Sequence, residues 1–401
     1  MNNNTRVTLS CFLAYFVMSG MLSPIGIVLP SLAEALALPV ADAARLFSWL
    51  TFGILLGSAL ALIVFDIYSE RFWLLLLYIL IGLALIVLRL SDSLWALRIA
   101  LGAVGCSCGI GLAAAASMIT RLYVEDRRAS MLVITDGSFS IAGILISALA
   151  VVCVAADMHW ASAYLAVAAV ALVLTLLVAS AKFPGREASA VLEHSKRRLW
   201  PMPVWLCVVA LFLYTLGQYS LLWWLPSYLE TELGAPRDEA GAVVGRFWSG
   251  MLIAQLLVAW WVLRIGARRL VLLCVGGTFL GSLPLWNSDS LGLLPWYALL
   301  WGIANLGLLK IVIAFATLCV DVPTPRLVAA LLFGATSGTA VSPVVTSVVV
   351  GMRDTRVVLQ FGSLCYLVLA LLVFIAWLVV KRRTSSDNIE MGLNASGVTG
   401  T

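Results

Sequence analysis

The chain has 401 residues, 62% of them hydrophobic and only 11% charged, with a formal net charge of +5 and a mean hydropathy of +1.05. Soluble domains carry about a quarter charged residues, so this composition excludes a soluble globular protein. The apolar runs are continuous rather than alternating, and only helices or closed barrels satisfy the backbone in lipid, so the runs read as helices.

Taken in order, apolar runs broken by charge, Gly or Pro predict spans at 8–30, 43–65, 72–90, 93–118, 130–156, 160–181, 203–225, 239–263, 269–286, 291–318, 326–350 and 356–380. The first run has some flavour of a cleaved signal, with Arg6 before it and Ala35-Leu36-Ala37 after it. It is long enough to span, however, and it ends in one copy of an internal repeat, so it reads as a retained helix. The expected fold is an all-α polytopic membrane protein, twelve transmembrane helices in two pseudo-symmetric six-helix bundles. The bundles are 1–181 and 203–380, joined by a polar linker at 182–202, with a disordered tail at 381–401.

The repeat rests on three loops. Leu29-Pro30-Ser31-Leu32-Ala33-Glu34 returns as Leu225-Pro226-Ser227-Tyr228-Leu229-Glu230, and Asp42 corresponds to Asp238, at an offset of 196. The loop after span two, Asp66 to Arg71, aligns with Leu263 to Arg269, and Arg128 aligns with Arg326, in nearly the same register. Duplicated halves with a shared site near the midplane are a transporter architecture.

Basic residues give the orientation. Seventeen Lys and Arg fall on the side carrying the termini and the linker and seven on the other, with Lys310 inside a span. Both termini are therefore expected in the cytoplasm, with the chain in an inner or plasma membrane. The basic residues form no stripe with interleaved aromatics, so no nucleic-acid partner is expected. The eight cysteines lie in or beside spans without paired ligand spacing, so neither metal nor cofactor is expected.

Two intramembrane charges stand out. Asp136 lies seven residues into span five, roughly 10 Å from its terminus-side end at about 1.5 Å per residue. A carboxylate taken out of water suits proton binding. The plainer alternative is a structural carboxylate bonded to Ser138, Ser140 or a neighbouring helix. Lys310, in span ten, is unfavourable there unless paired or hydrated; it either joins Asp136 in an inter-half gate or snorkels to the headgroups. Three rows at helical spacing place polar groups one turn apart: Tyr15, Ser19 and Ser23; Tyr214 and Gln218; Tyr297, Trp301 and Asn305.

These residues resemble the major facilitator superfamily. The loop after span two is similar to that family's Gly-x-x-x-Asp-Arg-x-Gly-Arg-Arg motif through Asp66 and Arg71, and its echo keeps Arg264, Gly266, Arg268 and Arg269. Arg98 with Gly102 is similar to the family's Arg-x-x-x-Gly element. A closer resemblance is to the TsgA-like branch of the fucose-permease group. It is carried by Thr135-Asp136, Phe139 to Gly143, Leu216-Gly217-Gln218, Leu225-Pro226 with Asp238, Ala240-Gly241, Phe247-Trp248 and Val322-Pro323 with Pro325. The resemblance implies a monomeric secondary transporter working by alternating access. Spans one, four, seven and ten would line the cavity, so the three rows become substrate-binding candidates and Arg98 a coupling candidate. Asp66, Arg71, Arg264, Arg268 and Arg269 would be conformational contacts. The carboxylates that sugar-transporting members carry in helices one and four are absent, which points away from fucose-like proton symport.

The leading expectation is a proton-coupled secondary transporter for a small organic solute. The alternative is a drug-type proton antiporter, supported by the aromatic rows and Arg98. A membrane enzyme lacks support, with only His159 and His194 and no acid cluster. A sensor lacks a soluble signalling domain, and a channel lacks a selectivity ring.

Overall fold

The computed structural model describes residues 2–67, 69–123, 125–182, 200–305, 307–320, 325–352 and 354–397. These form fifteen helices: α1 (Asn3–Leu22), α2 (Ile25–Ala35), α3 (Val40–Ile67), α4 (Glu70–Leu90), α5 (Leu94–Leu122), α6 (Glu125–Ala155), α7 (Ser162–Ser180), α8 (Met202–Leu233), α9 (Arg237–Ile265), α10 (Ala267–Ser282), α11 (Pro284–Asn287), α12 (Leu294–Ala304), α13 (Leu308–Thr317), α14 (Pro325–Met352) and α15 (Thr355–Gly397). Twelve stretches are long and apolar enough to cross a membrane, and no strand occurs among the described residues. Leu56, Leu83, Ile99, Leu172 and Leu256 are exposed on the outer surface, as expected of helices solvated by lipid tails.

Three predicted spans are interrupted. Span one divides into α1 and α2 at Ser23-Pro24 and span nine into α10 and α11 at Leu283-Pro284, because proline lacks the N–H that continues the ladder. Span ten divides into α12 and α13 around Asn305 and Gly307, where Gly307 takes the left-handed conformation at φ 60° that glycine tolerates best. Helix α15 continues to Gly397. Lys381 to Glu390 contains no Gly or Pro, so nothing in that stretch breaks the hydrogen-bond ladder. Most of the linker, residues 183–199, lies outside the described residues.

The duplication is visible in the packing. In the first half α3 crosses α5, and a Cβ at Gly53 would overlap the Gly102 carbonyl while one at Gly105 would overlap the Leu50 carbonyl. In the second half α9 crosses α12 in the same way, with Gly250 against the Leu299 carbonyl and Gly302 against the Phe247 carbonyl. All four positions of the first crossing recur at an offset of 197, with Gly53 and Gly105 answered by Gly250 and Gly302. Gly20 between α1 and α7 and Gly217 between α8 and α15 repeat at that offset too. Small residues let helices approach to backbone contact, which drives association in lipid.

Added methyl groups at such a contact cost about 1–3 kcal/mol. Gly105→Val and Gly302→Val are each expected to lower the thermal unfolding midpoint of the detergent-purified protein, whereas Gly82→Val, which meets nothing within 4 Å, leaves it unchanged. Equal midpoints in all three variants would contradict this account of the crossings.

The halves meet along two seams, α3 against α14 and α6 against α9, and where α2 meets α8. In one seam Thr51 Oγ1 donates to the Ala340 carbonyl at 3.0 Å. In the other the Trp248 ring lies where a Cβ on Gly143 would be. Thr51 and Trp248, and likewise Gly143 and Ala340, are again 197 residues apart, so the seams are versions of one contact.

Candidate functional site between the two halves

The face opposite the chain termini is closed by contacts across the halves. The Trp223 indole donates to the Leu22 carbonyl at 3.0 Å, and Gly26 lies directly against the Trp223 backbone. At the rim, Arg237 donates to both Glu34 oxygens, at 2.6 and 3.1 Å, and through Nε to Glu230 at 3.0 Å. Glu34 and Glu230 are the matching glutamates of the repeat, so one arginine holds an acid from each half. Sequence reasoning missed this clamp, although the Leu-Pro-Ser copies mark both glutamates.

The Arg237 guanidinium holds the Glu34 carboxyl below its ordinary range, chiefly by hydrogen bonding. The ion pair is therefore fully formed above the ordinary glutamate value of about 4.3 and is lost only as pH falls through the lowered one. Distances across this face are expected to stay constant from roughly pH 8 to 5 in spin-labelled protein, and to widen over that whole range in Glu34→Gln. Widening of the unsubstituted protein near neutral pH would contradict the clamp.

Nearer the other face, Lys310 of α13 forms an ion pair with Asp136 of α6, joining the halves. Their side chains are 37% and 25% exposed overall, but the Lys310 ammonium nitrogen itself is buried. Ser138, an alternative partner for Asp136, instead donates to the Phe12 carbonyl at 3.0 Å. Tyr15 sits within electrostatic range of Asp136. Of the two alternatives raised for Lys310, the structure shows the ion pair with Asp136, with a tyrosine from α1 nearby.

Between gate and clamp runs a chain of rings. Phe139 is 5.6 Å from Trp248, Trp248 is 5.2 Å from Phe247, and Phe247 is 4.2 Å from Trp301. Trp301 is 6.5 Å from Tyr366, which is 6.4 Å from Tyr214. Among these buried groups, Gln218 Oε1, Asn305 Oδ1, Trp248 Nε1, Trp301 Nε1 and the Tyr366 hydroxyl have no hydrogen bond of good geometry. The last hydroxyl nevertheless faces Trp301 and Asn305 closely enough to feel both. Unpaired buried polar atoms are uncommon, since each forfeits its hydration without compensation. These atoms offer three donors or donor-acceptors and two acceptors, from two amides, two indoles and a phenol, which suits a polar guest.

The predicted rows fare differently. Tyr214, Trp301 and Asn305 are drawn together through Tyr366, Gln218 is buried one turn from Tyr214 on α8, and Tyr297 is half-buried one turn from Trp301. Ser19 and Ser23 are buried but engaged: Ser19 contacts Ser23 at 3.1 Å and donates to the Phe139 carbonyl at 2.6 Å. Trp248 and Tyr366 were not predicted as site residues. Trp248 belongs to the Phe247-Trp248 pair already noted, but Tyr366 carried no signal, because its role depends on how α15 packs on α8.

Arg98 is not brought to this site. It lies four residues into α5, at the opposite face, with its guanidinium 5.0 Å from the Trp95 ring. Arg71 donates to the Ala179 carbonyl at 2.5 Å, favourable at the C-terminal end of α7. Arg264, Arg268 and Arg269 are exposed around the α9–α10 turn. The Asp66 side chain lies outside the described residues.

Two pseudo-equivalent helical bundles around a buried polar and aromatic cluster define a solute carrier, and comparison with known proteins gives the family. Residues 11–236 and 207–399 match the Major Facilitator Superfamily, and the chain belongs to it. It is an integral membrane transporter, not an enzyme. It is similar to Protein TsgA of Salmonella arizonae, 27% identical over 390 residues, covering 96% of this chain and 99% of that protein. A TsgA homolog of Erwinia tasmaniensis is 27% identical over 387 residues, covering 96% and 98%. Among solved structures, an alanine mutant of the nucleoside transporter NupG superposes with a TM-score of 0.73 at 14% identity, over 94% of this chain and 100% of that one. A D-xylose–proton symporter superposes at 0.71 and 16% identity, over 94% and 97%. These structures share the fold.

Proposed function

We propose that the protein is a proton-coupled secondary transporter that moves a small polar organic solute across the inner membrane by alternating access, as a monomer with cytoplasmic termini. The observation that carries this reading is the Asp136–Lys310 ion pair linking the halves. A carboxylate shared between halves can be neutralised by a proton, and a contact that exists in one arrangement biases the equilibrium between two. With the termini cytoplasmic, the Arg237 clamp is an external contact and the ion pair an internal one.

The unpaired amide and indole groups lie between them, where solute would be reached in turn from each side. They are neutral, and ring faces surround them, which fits an uncharged solute with ring-like apolar surfaces and several hydroxyl or amide groups. The names of the structural neighbours, a nucleoside transporter and a xylose–proton symporter, supply the first probes.

The test is flux in proteoliposomes, with a nucleoside and D-xylose as probes and a pH-sensitive dye inside. Proton movement coupled to solute in one direction supports symport, and in opposite directions antiport. Net uptake of a transported solute with no proton movement at all would reject the coupling.

A further inference from the structure

At the face opposite the termini, a cavity of about 330 Å³ opens between α3 and α5, lined in part by Asp42, Arg45, Leu46, Trp49, Leu94 and Arg98. It lies well away from the gate pair and the buried cluster. Arg45 donates to Asp42 and, through Nε, to Ser347 of α14 in the other half, both at 3.0 Å. Arg98 rests on Trp95 and has no carboxylate partner among the described residues. The lining therefore carries two guanidinium groups against one carboxylate already in use.

The surroundings are those of a membrane interface. Trp49 and Trp95 are exposed at the level of the arginines, where indoles mark the headgroup zone. Phe52 and Leu56 continue the exposed face of α3, and Ile99 that of α5, towards the bilayer centre. An anionic head beside the guanidiniums would leave its chains along these residues. Guanidinium forks match phosphate geometry, and basic pockets between helices recruit phosphate headgroups.

We propose that Arg45 and Arg98 hold the phosphodiester headgroup of an anionic phospholipid, of which phosphatidylglycerol is the simplest. Because Arg45 also bonds Ser347, the lipid sits at the α3–α14 seam and steadies the contact between the halves.

Native mass spectrometry of the full chain, released from detergent containing phosphatidylglycerol or phosphatidylethanolamine, tests this. The expected result is a retained phosphatidylglycerol adduct, preferred over phosphatidylethanolamine and reduced about tenfold in Arg98→Gln and further in the double variant with Arg45→Gln. Arg246→Gln, at another arginine resting on an indole (Trp296, 5.8 Å), should retain it fully. Among the described residues the Arg98 guanidinium makes no hydrogen bond, so the result for Arg98→Gln stands even if the double variant is unstable. Equal retention by Arg98→Gln, equal occupancy by the two lipids, or displacement of the lipid by millimolar inorganic phosphate would overturn the proposal.

Discussion

Exchanging Asp136 and Lys310 recovers a substantial part of the flux that Asp136→Asn or Lys310→Met each lowers by one to two orders of magnitude. Removing one partner of a buried ion pair costs about 3–5 kcal/mol, because the other charge is left uncompensated. Here the two side chains are only partly buried, 37% and 25% exposed, which reduces that figure. About 1.4–2.8 kcal/mol remains, which corresponds to the stated ten- to hundredfold at 1.36 kcal/mol per decade. The exchanged pair restores the attraction with its sign pattern reversed. Asp136→Asn should retain counterflow better than accumulation, since asparagine imitates the protonated acid but cannot release a proton. Proteoliposome flux in the four proteins decides the matter: a double exchange no better than the single variants would mean the two groups act separately.

The second large effect concerns Gln218 and Asn305. Asn305 Nδ2 donates to the Trp301 carbonyl at 3.1 Å while its Oδ1 has no partner. Replacing Asn305 by Leu loses one hydrogen bond, about 1 kcal/mol, and removes an orphan acceptor costing about 1–3 kcal/mol. The thermal midpoint should therefore hold or rise. Binding should suffer, because a site built to hydrogen-bond its solute discriminates by those groups. Asn305→Leu and Gln218→Leu are each expected to raise the half-saturating solute concentration at least tenfold with the fold intact. A fall in thermal midpoint with unchanged affinity would make these residues structural.

Much of this was legible in the sequence for physical reasons. The spans, and the repeat that relates them, follow from the cost of placing polar backbone in lipid and from matching loops such as Leu29-Pro30-Ser31 and Leu225-Pro226-Ser227. Asp136 and Lys310 stood out because a lone charge in a span is unfavourable, which makes its partner a necessity. Helical spacing found Gln218 and Asn305. The same spacing singled out Ser19 and Ser23, whose hydroxyls find partners within the protein, one of them a carbonyl 120 residues away in sequence. No linear pattern shows that α15 brings Tyr366 against Tyr214 and Trp301, or that the tail of α15 continues as helix. The Arg237 clamp was half legible: the repeat displays its two acids, but the arginine has no counterpart in the first half, where Ala41 stands at the matching offset of 196.

The central claim is that the halves move against each other so that one face opens as the other closes. Electron–electron distance measurements on a cysteine-free background test it directly, using Ala35→Cys with Glu239→Cys on the clamp face and Asn4→Cys with Arg268→Cys on the terminus-bearing face. Ala35 and Glu239 flank the clamp residues Glu34 and Arg237, and all four sites are exposed. Adding a solute identified by counterflow, at constant pH, is expected to lengthen one distance while shortening the other. Two distances that stay fixed, or that change in the same direction, would contradict alternating access.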